Sequence, residues 1–407
     1  MARDPFCPRR RGRAARALWV LAAMVVLAVA AVAAFGPRIV ADRLNPVTAQ
    51  AAWPVSPQAQ ALHDRLVIGD LHADALLWDR DLSVRRPEGH VDLPRLDQGN
   101  VAVQVFTAVT RSPRGQNYAR NAADAPDSIT PLVVGQLRPV QTWFSLKERA
   151  LDQAARLRKL ADAEPARLRL IRNRDDLDAV LADRSAGSRV IGAILGVEGA
   201  HPLEGDLGNL AVLDGAGYRL IGLTHFFDNA LGGSLHGTSQ AGLTPFGRAV
   251  VAEALRRGMM LDLAHGSAQL VRDVLAMPGA RPIISHTGVH GVCDTPRNLP
   301  DDLLRAVAAA GGIIGIGFWA DVTCDDSPAG IAASIAAAIA LAGEDHVALG
   351  SDWDGAVGVP LDAAGLPALT QAVIDQGLTE AQIAKVMGGN MIRYLRETLP
   401  RAQVPKP

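Results

Sequence analysis

The sequence has few cysteines, no excess of either charge and no nucleotide-binding signature. Its 407 residues include 3 Cys, 41 Lys plus Arg and 42 Asp plus Glu, and 49% are hydrophobic. Three cysteines are too few for a disulfide scaffold. Balanced charge, with no long basic run in the globular part, excludes nucleic acid as an expected partner. No G-x-G-x-x-G or P-loop follows a predicted strand, which disfavours a nucleotide-binding open sheet. The chain is long enough for one large core or two modest ones.

The first basic cluster and the first long apolar run lie together near the N-terminus. Residues 17–35 form an uncharged run close to the ~20 residues that span a membrane as a helix. Arginines crowd before this run and are sparse after it. The positive-inside bias therefore predicts a cytoplasmic tail (1–16), a transmembrane signal-anchor (17–35) and an exported remainder. A signal peptide cleaved at AVAAFG, releasing a secreted protein, is the alternative.

The Ala-rich composition, with Arg favoured over Lys, is typical of a GC-rich bacterial genome. This predicts the bacterial inner membrane, with the globular part in the periplasm. Residues 36–60 are Pro-rich with little periodicity and predict a linker. No second break and no repeat follow, so 61–400 is predicted as one domain.

Within that domain, short apolar runs alternate with longer segments of helical period. The strands are predicted at 67–73, 101–109, 190–197, 218–224, 258–264, 282–285, 312–318 and 347–351. Helix caps occur between them, such as Thr244 before Pro245 and the capping box of Thr379 and Gln382. Eight strands alternating with helices predict a (β/α)8 TIM-type barrel, whose usual size is ~250 residues.

Six of the eight predicted strands finish in a residue that can bind a metal. These residues are His72 with Asp74, Glu198, His225, His265, His286 and Asp352. Carboxyl ends of barrel strands converge on one mouth, where such folds place their chemistry. His72 and Asp74 are two apart on one strand and so project to the same side. Taken alone, each His or Glu is more often structural; gathered at one mouth, they need a cation to compensate their burial.

The ligand count predicts two metal ions. His72, Asp74 and Glu198 would hold one, and Glu198, His265 and His286 the other, with the Glu198 carboxylate and a hydroxide bridging. Paired metals ~3.5 to 4 Å apart are a recurrent hydrolytic device. Imidazole and carboxylate without thiolate favour Zn(II), with Mn(II), Co(II) and Fe(II) as alternatives. The predicted reaction class is metal-assisted hydrolysis.

Several ordered blocks in residues 60–398 resemble the membrane dipeptidases, peptidase family M19 of the amidohydrolase-like barrels. The blocks include DLHAD, GVEGAH, LIGLTHFFDN, MMLDLAHGS, PIISHTGVHGVCDTPRNLP, GSDWDG and GGNMIRYL. The resemblance implies two zinc ions on His72, Asp74, Glu198, His265 and His286. It also implies a disulfide between Cys293 and Cys324 and hydrolysis of small dipeptides, including those with a C-terminal D-residue.

Three further roles follow from the resemblance. His225 would stabilise the oxyanion, Arg297 would pair with the dipeptide carboxylate, and Asp352 would carry the proton from water to the leaving amine. Each role suits its side chain. Two alternatives stay open: Arg297 ties a loop, or Asp354 faces the site in place of Asp352. Both carboxylates would point inward if the strand continues through them, because residues two apart on a strand share a side.

The chain departs from the family's usual pattern in two places. DLHAD replaces the more usual DGHND, and the segment 111–142 is long and rich in Gly, Pro and Asn. Two functions therefore stand as alternatives to a dipeptidase. One is a binuclear amidohydrolase that acts on a lactam or N-acyl amino acid, and the other is a non-catalytic membrane-anchored binding protein. A homodimer is left open.

Overall fold

Eight parallel strands close into a barrel in the computed structural model, which describes residues 9–49 and 52–402. Along the sheet the strand order is β2-β1-β9-β8-β7-β6-β5-β4, and β2 also pairs with β4 to close the ring. The closure is extensive, since seven residue pairs run from Val103 with Gly192 to Val109 with Glu198. The predicted TIM-type fold is confirmed.

All eight predicted strands are present with small shifts at their ends. A ninth, β3, was not predicted; it is only three residues long, pairs with the first residues of β4 and stands outside the ring. The strands are β1 Ile68–Ala73, β2 Val101–Val109, β3 Leu168–Leu170, β4 Ile191–Glu198, β5 Tyr218–Gly222, β6 Met260–Asp262, β7 Ile283–Thr287, β8 Ile313–Ile316 and β9 Val347–Leu349. The ring strands are almost wholly buried because helices cover the outside, which is why they read as continuous apolar runs.

Helices surround the barrel and connect its strands. They are α1 Arg9–Leu44, α2 Pro57–His63, α3 Leu93–Gln98, α4 Ile129–Gly135, α5 Gln141–Phe144, α6 Leu146–Ala163, α7 Arg174–Ser185, α8 Gly208–Ala216, α9 Pro245–Arg256, α10 Ala268–Leu275, α11 Asp301–Ala309, α12 Ala320–Thr323, α13 Pro328–Ala342, α14 Leu366–Asp375, α15 Glu380–Ala384 and α16 Asn390–Thr398. The predicted caps are confirmed: the Thr244 side chain accepts from Gly247 N–H, and Thr379 and Gln382 form a capping box before the π-helical turn Lys385–Gly389.

The apolar run 17–35 lies within α1, a helix of 36 residues that contains Pro37. Within residues 9–49 and 52–402, no helix meets the combined length and hydropathy requirement for crossing a membrane. The side chains of 28–30 and 32–34, inside the predicted anchor, lie outside the described residues, as do residues 1–8 of the predicted tail. The anchor therefore stays a prediction.

The stretch predicted as a linker contacts the barrel where the structure describes it. Thr48 N–H donates to Val359 O at 2.7 Å, and Val359 N–H donates to Pro46 O at 3.1 Å. α2 follows, and its first turn is capped by Ser56, whose side chain accepts from Ala59 N–H at 3.1 Å. The two hydrogen bonds with Val359 fasten the chain after α1 to the segment that follows β9.

Cys293 and Cys324 form a disulfide, as the resemblance implied. It joins the loop after β7 to the residue that ends α12, across 31 residues of chain. Cys293 is fully buried. The bond therefore joins two loops to each other at the carboxyl ends of the strands.

Candidate metal centre

The structure brings all five predicted metal ligands together at the carboxyl ends of the strands. His72 lies in β1 and Asp74 directly follows that strand. Glu198 ends β4, His265 follows β6, and His286 lies in β7. All five side chains are buried. Because parallel barrel strands end at one mouth, residues more than 200 positions apart in the chain share one site.

Glu198 is the centre of the cluster. Its Oε1 lies 2.9 Å from His265 Nε2, 3.4 Å from His72 Nε2 and 3.4 Å from His286 Nε2. Its other oxygen, Oε2, lies 3.2 Å from His225 Nε2. Both oxygens of the Glu198 carboxylate therefore face imidazole nitrogens.

The first predicted ligand group is compact. His72 Nε2 lies 3.5 Å from Asp74 Oδ1 and 3.4 Å from Glu198 Oε1. The ligand atoms of the three residues all lie within 4.8 Å of one another. Thr107, on the neighbouring strand β2, donates to Asp74 Oδ1 at 2.5 Å and so fixes the rotamer of that carboxylate.

The second group includes one residue more than predicted. Glu198, His265 and His286 are together, with His265 Nε2 only 3.0 Å from His286 Nε2. His225 joins them, because its Nε2 lies within 4.8 Å of the ligand atoms of Glu198 and His265. The Nδ1–H of His225 donates to Arg111 O at 3.3 Å, which turns Nε2 toward Glu198. By geometry alone, His225 can be a ligand or can face the substrate.

Ser285 determines which nitrogens of two imidazoles carry protons. Its hydroxyl donates to Asp262 Oδ2 at 2.6 Å and lies 3.2 Å from His72 Nδ1 and 2.8 Å from His286 Nδ1. A serine hydroxyl has one proton and two lone pairs. Because that proton goes to Asp262, the oxygen accepts from both Nδ1–H groups. The Nε2 atoms of His72 and His286 then both face Glu198, where a cation can take the place of a proton.

The charges of the site also fit metal ions. Burial would lower the pKa of His72, but Glu198 and Asp74 outweigh it and raise that pKa to about 10. Burial, followed by Glu198, raises the pKa of Asp74 to about 6. Burial lowers the pKa of both His265 and His286 well below the usual range, so these two imidazoles stay neutral. Neutral imidazole nitrogens beside carboxylates that attract positive charge are the kind of donors that bind a divalent metal.

Asp352 points into the cluster and Asp354 points away from it. Asp352 Oδ1 lies 3.8 Å from His72 Nε2. Asp354 instead pairs with Arg80 and accepts from His90 N–H at 2.9 Å and Val91 N–H at 3.3 Å. The two side chains do not lie on the same side because the strand ends before them. Both residues have left-handed backbone, with φ of 59° and 61°. Burial, followed by Glu198 and Asp74, raises the pKa of Asp352 well above its usual range.

Arg297 is buried beside the cluster and already has backbone partners. It donates to Ala264 O at 3.2 Å and to His286 O at 3.1 Å, and its guanidinium lies 5.4 Å from the centre of the Trp319 ring. It therefore does tie together the ends of two strands. A guanidinium has five N–H donors, so two backbone contacts leave others for a carboxylate.

A cavity of about 380 Å³ opens above the cluster and is lined by Asp74, Glu198 and His225. Its remaining lining is mostly apolar, with Leu77, Val109, Ile129 and Phe226 among the lining residues. The volume is that of a site for a small molecule, within the ~300 to 1,000 Å³ typical of ligand pockets.

Residues 56–404 match the sequence profile of the membrane dipeptidases, Peptidase family M19. The chain belongs to this family. By this membership it is a metallo-dipeptidase, and the resemblance drawn from the sequence is confirmed.

Relatives of this M19 chain are dipeptidases by name. An uncharacterized dipeptidase of Schizosaccharomyces pombe is 30% identical over 326 residues, covering 76% of this chain and 72% of the relative. The dipeptidase tcpJ of Claviceps purpurea is 28% identical over 333 residues, covering 78% and 72%.

Solved structures agree in fold. A metallo peptidase from Rhodobacter sphaeroides, bound to a phosphinate mimic of the dipeptide L-Ala-D-Ala, is 25% identical with a TM-score of 0.65. A dipeptidase AC of family M19 is 25% identical with a TM-score of 0.66. Each of these comparisons covers 82% of this chain and 99% of the solved chain.

Several residues that shape the site of this M19 dipeptidase were missed by the sequence analysis. Thr107, Asp262 and Ser285 interrupt apolar strands, and a buried polar residue within such a strand needs a partner, so that signal was available. Tyr118 gave no such signal, since it lies in the 111–142 segment. That segment enters the mouth, where Trp319 Nε1 donates to the Tyr118 hydroxyl at 3.0 Å.

Two other buried histidines, His201 and His236, are in none of the groups that could hold a metal ion. His201 is buried and stacked on Phe227 at 4.9 Å, and His236 is buried and stacked on Phe226 at 5.1 Å. Asp70, two residues before His72, accepts from the backbone N–H of His72 at 3.3 Å rather than from its imidazole. Asp70 therefore positions the strand end, and Ser285 orients the ring.

Proposed function

We propose that this M19 chain is a zinc-dependent dipeptidase with two metal ions bridged by Glu198, and that it accepts dipeptides with a C-terminal D-residue. The observation that carries the proposal is the convergence of three Nε2 atoms on Glu198 Oε1, at 2.9 to 3.4 Å. The D-residue is supported by the Rhodobacter sphaeroides enzyme, whose bound phosphinate mimics L-Ala-D-Ala.

The five ligands would divide as His72, Asp74 and Glu198 on one ion, and Glu198, His265 and His286 on the other. When bound, such a pair of divalent cations polarises a carbonyl and lowers the pKa of a water molecule between them. Oxygen and imidazole donors without thiolate suit zinc in a hydrolytic site.

The residues around the metals would complete the reaction. Asp352, whose pKa burial raises, would take the proton of the attacking water and return it to the leaving amine. His225 would stabilise the oxyanion, because burial is outweighed by Glu198, which raises the pKa of His225 and keeps a proton available at Nε2. Arg297 would hold the substrate carboxylate through the N–H groups that Ala264 and His286 leave free.

The first test is metal removal and restoration on the full chain. Chelation should abolish hydrolysis of an L,D-dipeptide such as L-Ala-D-Ala, and zinc should restore it as two equivalents bind. Asp74→Ala should lose activity and one equivalent of metal. Asp162→Ala, which removes an exposed carboxylate on the outer helix α6, is the matched control and should retain both.

Substrate forms test the reaction class. The free dipeptide should be cleaved, whereas its C-amidated form should be poor because Arg297 lacks a carboxylate to bind. Full activity of Asp74→Ala would contradict the assigned site. Efficient cleavage of an N-acetyl amino acid or a lactam, with none of the dipeptide, would favour the other amidohydrolase chemistry.

We also propose that residues 17–35 anchor the chain in a bacterial inner membrane with the barrel in the periplasm. The asymmetry of arginines around this apolar run supports the orientation. The full chain should stay with the membrane fraction after a high-salt wash, and added protease should digest the barrel in spheroplasts. A mature N-terminus beyond residue 35 would instead establish signal cleavage and secretion.

A further inference from the structure

The last turns of α1 reach the mouth of the barrel and form one wall of the catalytic cavity. Val40 and Leu44 line the same cavity as Asp74, Glu198 and His225. The two side chains are four residues apart and so lie on one face of the helix. Each is 43% exposed, so both present apolar surface to the cavity.

This end of α1 is also packed onto the barrel, through a residue next to the cavity-lining pair. Ala41, between the two cavity-lining residues, is 6% exposed and belongs to a buried cluster with Leu77, Trp78 and Val133. Burial of Ala41 within this apolar face fixes the orientation of the helix, so that Val40 and Leu44 stay at the cavity.

Hydrogen bonds join the same helix end to the loop that carries Asp352. The Asn45 side chain donates to Ala41 O at 2.8 Å and accepts from Ala356 N–H at 2.9 Å. Ala356 also lines the cavity and has left-handed backbone, with φ of 62°. The wall formed by α1 and the loop after β9 are therefore held in one arrangement.

The position of Arg297 indicates which part of a dipeptide this wall would meet. Arg297 lies against Ala264 O, His286 O and Trp319, and it is not among the residues that line the cavity. If the carboxylate binds at Arg297 and the peptide bond lies over Glu198, the N-terminal residue extends into the cavity. Its side chain then meets the apolar lining.

We propose that Val40 and Leu44 of α1 form part of the subsite for the N-terminal side chain of the dipeptide, and that this subsite selects apolar side chains. The inference rests on the proposed dipeptidase function and deepens it. A segment that the sequence places beside a predicted membrane anchor would thus determine substrate specificity.

The test compares two dipeptides that share a C-terminal residue, Leu-D-Ala and Gly-D-Ala, on the zinc-loaded full chain. Leu44→Ala should lower kcat/KM for Leu-D-Ala by about five- to tenfold, because apolar contact in a binding pocket is removed. It should leave kcat/KM for Gly-D-Ala unchanged. Leu44→Met, which keeps an apolar side chain of similar volume, should restore most of the preference.

Ile39→Ala is the matched control, since Ile39 lies on the same helix, is 49% exposed and does not line this cavity. It should change neither rate. An equal loss for both dipeptides in Leu44→Ala, or no loss for Leu-D-Ala, would overturn the inference.

A binding measurement separates failure of this inference from failure of the proposed function. Phosphinate mimics of Leu-D-Ala and Gly-D-Ala can be titrated by calorimetry into the wild type and Leu44→Ala. The variant should lose affinity about five- to tenfold for the leucine mimic only. That result would uphold the subsite even if neither dipeptide were hydrolysed, and equal affinities in both proteins would contradict it.

Discussion

Ser285 shows how a single hydroxyl can orient two imidazoles of the candidate metal site at once. Its proton goes to Asp262, so its lone pairs accept from His72 Nδ1–H and His286 Nδ1–H, and both Nε2 atoms face Glu198. Partners of this kind are conserved features of metal sites in general, because they fix the tautomer and orientation of the ligand. Asp262 sustains the arrangement from behind.

Ser285→Ala should therefore weaken metal binding without removing a ligand. We expect zinc affinity to fall about 10- to 100-fold, as for other residues that orient metal ligands. Competition with a chromophoric chelator measures it. Ser334→Ala is the control, because Ser334 Oγ is buried on α13 without a hydrogen-bond partner among the described residues, and its removal should leave affinity intact. An unchanged affinity in Ser285→Ala would refute the role of the hydroxyl.

Asp352 should act on the proton and not on metal binding. Asp352→Asn removes the proposed proton carrier, so kcat should fall about 10²- to 10⁴-fold while KM and zinc content change little. Steady-state kinetics and elemental analysis check both. Loss of zinc together with activity would instead identify Asp352 as a metal ligand, and Asp352→Glu should recover part of kcat.

The loop after β9 is the element that separates Asp352 from Asp354. Asp352, Asp354 and Ala356 all have positive φ, which non-glycine residues adopt only when surrounding contacts compensate the strain. His90 supplies much of that compensation, because its Nδ1 accepts from Asp354 N–H at 2.9 Å while its Nε2–H donates to Pro46 O at 3.2 Å. Trp78 Nε1 adds a donor to Asp354 O at 2.7 Å.

Glycines in β8 and directly after β9 allow these strands to lie close to β7. A Cβ on Gly315 would lie 2.1 Å from Ser285 O, and one on the neighbouring Gly350 would lie 1.9 Å from the same oxygen. These strands must approach β7 closely next to the Ser285 that orients two ligands. Glycine, which has no Cβ, allows this close packing beneath the site.

Helix α2 predicts a pH dependence of stability that is separate from the metals. His63 is fully buried at its end; Nε2–H donates to Gly99 O at 3.2 Å and Nδ1 accepts from Thr370 Oγ1 at 2.8 Å. Burial lowers the pKa of His63 to about 4. Between pH 6.5 and 4, His63 therefore binds a proton in the unfolded chain but not in the folded chain, so the free energy of unfolding falls as pH falls.

His63→Gln should reduce this acid sensitivity. The wild type should lose roughly 2 to 3 kcal/mol more of its free energy of unfolding than the variant between pH 7 and 4. Urea titrations at several pH values measure the difference, and above pH 6.5 it should be constant. Parallel pH profiles for the two proteins would show that His63 is not the group responsible.

At the scale of the whole molecule, the disulfide between Cys293 and Cys324 restrains the unfolded chain. Cys293→Ala with Cys324→Ala should lower the free energy of unfolding by about 3 to 4 kcal/mol, from the entropy of a loop that spans 31 residues. Denaturant unfolding measures it. Reductant should destabilise the wild type and leave the double variant unaffected; equal sensitivity of both would contradict a stabilising bond.

The barrel and most of the residues that meet at its mouth could be predicted from the sequence. Buried parallel strands read as apolar runs, so β1, β2 and the six other ring strands were recognisable by local pattern. His72, Glu198, His265 and His286 each stand at the end of such a run, and strand ends of a barrel share one mouth by topology. The family blocks added roles to the same residues. Short β3, outside the ring, carried too little pattern to be found.

Only the tertiary structure decided which polar side chains face the site and what covers it. The alternation of side chains along a strand could not show which of Asp352 and Asp354 faces the site, because three left-handed residues turn the chain after β9. Contacts from His90 and Trp78 stabilise that turn. Periodicity likewise could not place the end of α1 at the cavity, because that position depends on packing of Ala41 against residues distant in the chain. Local sequence determines strands and their ends; long-range contacts determine the orientation of the loops and helices around them.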